Sequence, residues 1–123
     1  MPIEFTVANF EERRLAGRKW VFGPFLPKDS EYHTEALEIG YVNLHEVEST
    51  DRLHFHSKTE EYYVVLAGHL TIQVADRFVE VPEGSILLVR PGYPHIITAI
   101  HPGTRLVLIK APPWPGDKVV VQE

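Results

Sequence analysis

The sequence predicts an all-β domain built as a jelly roll of two antiparallel sheets, and three observations carry that prediction. No stretch longer than about one turn repeats its apolar residues at helical spacing. Eight or more short runs of β-forming residues recur, punctuated by Gly, Pro, Asp and Asn. Several of these runs alternate with period two, as Leu70, Ile72 and Val74 do against Thr71, Gln73 and Ala75. Many short strands at such spacing form a sandwich or a closed barrel, and the jelly roll is the usual two-sheet solution.

In chain order, Ile3 to Val7 alternates with Glu4 and Thr6 and predicts a short edge strand. Asn9 followed by Glu12 is a helix-start signal, but Gly17 follows so soon that one turn at most is expected. Lys19 to Phe22 predicts a second strand, stopped by Gly23-Pro24. Residues 28–35 are polar and read as a surface loop, and Ala36 to Leu44 alternates imperfectly as another strand. Beyond Val74, Asp76-Arg77 is expected to turn the chain into Phe78 to Val81, and Pro82-Glu83-Gly84 is a stronger turn signal. Ile86 to Val89, Ile96 to Ile100 and Leu106 to Ile109 are continuous apolar runs. Such strands need cover on both faces, and in a small barrel a partner subunit is the simplest cover. A homodimer is therefore expected, and a light-scattering mass of one chain would contradict it. The segment Pro112-Pro113-Trp114-Pro115-Gly116 excludes helix and central strand, whereas Lys118 to Val121 suits a last edge strand.

At 123 residues the chain is expected to be one domain, 1–123. Its parts are an N-terminal strand region (1–35), a barrel core (36–111) and a tail (112–123). A net charge of −5 gives no basic footprint for nucleic acid. There is no cysteine, so disulfides are excluded and any metal must be held by nitrogen and oxygen. The N-terminus lacks a basic region followed by an apolar core, and no apolar run reaches membrane-spanning length. A cytoplasmic location, with no membrane partner, is the expectation.

Chemistry concentrates in two segments. His54 and His56 stand two apart on an extended run, so their imidazoles share a face. Glu60-Glu61 follow after a short turn and lead into β-formers closed by Gly68, and a further histidine, His95, follows the turn at Pro91-Gly92. Imidazole nitrogen and carboxylate oxygen form a donor set that divalent metals prefer. Adjacent strand residues face opposite ways, so only one of Glu60 and Glu61 can join the histidines. Both faces are apolar, and patterning does not choose between them.

These two segments resemble the paired motifs of the cupins, a family of small β-barrel proteins. His54, His56, Glu61 and Gly68 fit the first motif, with four residues between His56 and Glu61 and six between Glu61 and Gly68. Gly84, Gly92 and His95 fit the second, and fifteen residues separate Gly68 from Gly84, as in compact members. The six-residue interval selects Glu61. Three positions depart from the pattern: Glu48 where the first motif begins with Gly, Arg90 in place of Pro, and Ala99 in place of Asn. None of the four ligand positions is lost. The resemblance implies a cupin jelly-roll barrel holding one divalent ion (Fe, Mn, Zn, Ni or Cu) on His54, His56, Glu61 and His95.

Tyr41, Tyr63, Ile97 and Arg52 have the parity to point inward beside these ligands. Tyr63 and Arg52 are the nearest candidates for a proton donor and an anion anchor, although an arginine in a barrel interior needs an anionic partner and otherwise turns outward. His33, His45, His69 and His101 read as surface histidines, and Trp20 and Trp114 as core or dimer-contact residues. Three histidines and a carboxylate leave coordination positions open for water or substrate. The resulting expectation is a metal-dependent enzyme acting on an oxygen-rich small molecule, as a dioxygenase or an isomerase. The competing reading is a non-enzymatic small-molecule-binding module.

Overall fold

The computed structural model describes residues 3–44, 52–114 and 116–121; His45, Glu48 and Pro115 lie outside them. Among the described residues, ten strands follow one short helix, α1 (Phe10–Leu15). They are β1 (Trp20–Phe22), β2 (Glu38–Leu44), β3 (His54–His56), β4 (Glu60–Ala67) and β5 (His69–Val74), then β6 (Arg77–Pro82), β7 (Ile86–Val89), β8 (His95–Ile100), β9 (Thr104–Ala111) and β10 (Lys118–Val120). They form two antiparallel five-stranded sheets, ordered β1-β2-β9-β4-β7 and β10-β3-β8-β5-β6. Sequence neighbours such as β3 and β4 lie in different sheets, so the chain crosses between layers and closes the jelly roll.

The core lies between the sheets. Tyr63 and Val65 of β4, Val89 of β7 and Leu106 of β9 meet Leu70 and Ile72 of β5 and Val81 of β6, all buried. Strand alternation decides this: residues of one parity on β4 and β9 face inward, and those of the other parity form a second cluster outside. That outer cluster is Val21, Tyr41 and Val107, with Phe10, Phe22, Ile39, Val64 and Ile109 packed around it. The continuous apolar runs thus have two destinations, and part of the outer cover comes from the chain itself. Phe10 of α1 stacks on Tyr41 with ring centroids 4.9 Å apart.

Several expectations change in detail. Residues 3 to 7 form no strand; Ile3, Phe5 and Val7 are exposed because no neighbouring strand pairs with them. Helix α1 is longer than one turn, at six residues, with Asn9 capping it by accepting from the Glu12 N–H. The β5–β6 turn is Ala75-Asp76 rather than Asp76-Arg77, since Val74 pairs directly with Arg77. Tyr41 does not point into the barrel. Its register partner is Val107, whose parity is opposite to that of the inward Leu106 and Leu108, and its hydroxyl donates to Glu11. No helix among the described residues is long and apolar enough to cross a membrane.

Candidate metal centre

Four side chains converge inside the barrel from both sheets. His54 and His56 come from β3, His95 opens β8, and Glu61 comes from β4 of the facing sheet. His54 and His95 are direct cross-strand partners, with ring centroids 4.4 Å apart. One ligand atom from each of His54, His56, Glu61 and His95 can be chosen so that all lie within 4.8 Å of one another, and all four residues are buried. Glu61 and not Glu60 enters the barrel; the half-buried Glu60 instead accepts from the Tyr62 hydroxyl.

The second motif fixes this geometry through its backbone. The N–H of Gly92 donates to the carbonyl of His56 at 2.7 Å, which ties the β7–β8 turn to β3. The Nδ1 of His54 lies 2.7 Å from the Arg52 carbonyl, and the Nδ1 of His95 lies 3.0 Å from the Tyr93 carbonyl. A carbonyl can only accept, so each Nδ1 donates there and leaves Nε2 as the ring nitrogen available to ligate. For His95 that nitrogen lies 3.1 Å from Glu61 Oε1, close enough for one cation to be held by both. The Nε2 of His56 is buried with no hydrogen-bond partner and stands 3.6 Å from Glu61 Oε2. A buried polar atom left unpaired is costly, and a metal ion would satisfy it. The donor set therefore fits a divalent ion.

Burial opposes the ionisation of Glu61, but His56, His95, the Lys110 ammonium and the Tyr63 hydroxyl together hold its carboxyl well below the usual range. Tyr63 is buried and donates its O–H to Glu61 Oε1, so it orients this carboxylate. Ile97 packs against the inner core, as its parity suggested. Arg52 is exposed and lines a larger cavity with Gln73, Ile96, Thr98 and Val120, on the opposite face of β5 and β8 from the core residues Leu70, Ile72 and Ile97. What Arg52 contributes to the four-residue cluster is its carbonyl.

A smaller cleft, of about 240 Å³, reaches His56. It brings in groups that the sequence reading missed or placed elsewhere. Trp20 and Trp114 line it, with Trp114 half exposed. Lys110 and the buried Glu38 line it too, and Lys110 Nζ lies 3.6 Å from Glu61 Oε2. Their signal in the sequence is faint: Lys110 ends an apolar run at the inward parity of Leu106 and Leu108. Burial pushes the Glu38 carboxyl up, with Lys110 and His56 countering only in part. Of the histidines read as surface residues, His69 pairs with Glu80, His101 is exposed, and His33 is half-buried with Nδ1 on the Leu26 carbonyl.

Asp117 braces the ligand-bearing turn. Its carboxylate accepts from the N–H groups of Ser57, Lys58 and Thr59 and from the Ser57 hydroxyl. Burial opposes its ionisation, but these donors hold its carboxyl below the usual range. Asp117→Ala is expected to cost about 2 kcal/mol, read by urea denaturation at neutral pH. A depressed carboxyl stabilises the fold fully above the unfolded value of about 3.9 and loses that contribution as pH falls towards the folded value. The gap between wild type and variant should therefore begin to narrow only below about pH 4.

Comparison with known proteins bears on this barrel. The chain matches the Cupin domain family over residues 40–109. No match was found among curated proteins. Among solved structures it is similar to Pac13 from Streptomyces, a nucleoside dehydratase also solved with uridine. The two share 16% identity and a TM-score of 0.60, over 72% of this chain and 71% of that one. It is also similar to a protein from Neisseria meningitidis, at 18% identity and a TM-score of 0.60, over 86% of this chain and 99% of that one. A Klebsiella pneumoniae protein with a double-stranded β-helix domain gives a TM-score of 0.61 at 17% identity, over 73% and 78% of the two chains. At such identities these likenesses speak to the fold.

Proposed function

The chain belongs to the Cupin domain family, and on that premise we propose that it is a metal-dependent enzyme acting on an oxygen-rich small molecule. His54, His56, Glu61 and His95 hold one divalent ion, drawn from Fe, Mn, Zn, Ni and Cu. The observation that supports this most is the cluster itself: four buried donors within 4.8 Å, one of them the unpaired Nε2 of His56, at the inner end of a cleft. The bound ion would supply Lewis acidity and, if it is iron, access to oxygen chemistry.

The chain's own residues then have distinct tasks. The carbonyls of Arg52 and Tyr93 keep His54 and His95 in the ligating tautomer, and Tyr63 orients Glu61. The apolar side chains of the inner core wall off bulk water on the far side of the cluster. The cleft admits substrate beside His56, where Lys110 and Glu38 supply charge and a carboxyl able to carry a proton. This suits an isomerase-like proton transfer as well as an oxygenation. Pairing of two chains as a homodimer is part of the same proposal.

The test is an anaerobic titration of iron-loaded and manganese-loaded protein with diketones, catechols, thiol acids and sugar phosphates, followed by admission of oxygen. Substrate-dependent oxygen uptake, or isomer formation without oxygen, should appear and be abolished by His95→Ala. Binding without turnover across the panel would instead identify a small-molecule-binding module.

A further inference from the structure

The register of three strands sets one row of charge across the inner face of the first sheet. Lys110 on β9 is the direct partner of Glu38 on β2 and of Glu61 on β4. An ammonium with its side chain only 23% exposed needs anionic company. Glu61 provides it at 3.6 Å, yet Glu61 is committed to the three-histidine cluster. Glu38 faces Lys110 from the other side of β9, and burial pushes its carboxyl up. The other ionisable groups lining the cleft are His56, Lys118 and Asp117. The Asp117 oxygens are already occupied by Ser57, Lys58 and Thr59. Lys110 is thus a cation lining the cleft whose nearest carboxylate is shared with the cluster, and an anion entering the cleft would meet it.

The walls are equally specific. The chain has two tryptophans, and both line this cleft. Trp20 packs over Gly40, where an added Cβ would come within 3.0 Å of the indole, so the close approach depends on that glycine. Phe25 and Trp114 stand at 57% and 50% exposure, more than packing alone explains for side chains of this size. The Lys58 ammonium sits 4.0 Å from the Trp114 ring centroid and adds positive charge at that edge. A volume of about 240 Å³ admits roughly one ring with a substituent.

We infer that the cleft takes a flat organic anion, a carboxylate or enolate conjugated to a ring or planar chain, with its charged end on Lys110 and its body against Trp20 and Trp114. This deepens the proposed enzyme reading by naming the substrate class, and it rests on that reading for the role of the cleft.

Benzoate and benzamide, alike in shape and different in charge, test it by calorimetry on metal-free and zinc-loaded protein. Zinc affinity is measured separately in every variant. Benzoate should bind about tenfold tighter than benzamide, and added salt should shrink that preference. Lys110→Met should erase the preference, Lys110→Arg should keep most of it, and Trp114→Ala should weaken both probes alike. Equal binding of the two probes, a preference that survives Lys110→Met, or binding of neither overturns the inference. Should Lys110→Met fail to fold, the wild-type preference and its salt dependence decide. Zinc binding without preference for benzoate sinks this inference and leaves the metal centre standing. Preference for benzoate without zinc binding does the reverse.

Discussion

A His54→Ala, His56→Ala double variant is expected to fold as wild type does and to lose at least about a thousandfold in divalent-metal affinity. Changing groups that merely support a metal ligand already costs about 10- to 100-fold, so deleting two of four donors costs more. Both imidazoles come from β3, whose backbone pairs with β8 and β10 irrespective of the side chains, so the barrel should survive. Competition against a chromophoric chelator gives the affinity, and far-UV circular dichroism checks the fold. Unchanged affinity in the variant would place the metal elsewhere. The wild-type pH dependence follows from the same donors. Glu61 stays ionised well below neutrality, so the protons that compete with the ion are those of the imidazoles. Affinity should weaken as the solution is acidified and imidazole protons displace the ion, with a slope set by up to three protons.

Gly68→Ala is expected to be the most damaging single change far from the cluster, at about 3 kcal/mol or more. Gly68 has φ near 86°, a left-handed conformation that costs a residue with a Cβ about 1–2 kcal/mol. It also lies against Thr104: an added Cβ would fall 2.6 Å from the Thr104 Cα and closer still to its Oγ1. Backbone cannot step aside as a flexible side chain does, and forced overpacking adds about 1–3 kcal/mol. Thr104 is itself held, accepting from the His69 N–H and donating to the His101 carbonyl, so relief would break the start of β5 or β9. A lower urea midpoint at unchanged slope would report this loss. Gly84→Ala offers the control: it has a similar φ of 80° but open space around it, so only the conformational cost should appear.

The contrast between those two glycines separates what was legible in the chain from what was not. Both were readable as turn positions, because turns that need positive φ select glycine locally. Only the packed structure reveals that one of them faces Thr104, some thirty-five residues away. The same division runs through the rest of the molecule. Period-two alternation and turn chemistry are local, and they were enough for eight or more short strands and an all-β barrel. The resemblance to the cupin motifs pointed to His54, His56, Glu61 and His95, which the structure brings together; the residue pattern alone left Glu60 and Glu61 open. Alternation names two faces without saying which is inside, so Tyr41 read as inward and proved to lie beneath Phe10. Residues 3 to 7 carried a strand pattern, but a strand exists only where a neighbour pairs with it, and none does. The row of Glu38, Lys110 and Glu61 arises from the pairing of β2, β9 and β4, segments up to about seventy residues apart. Such pairings are chosen by how the whole core closes, and it is that closure which turned two tryptophans and a lysine into the walls of a cleft.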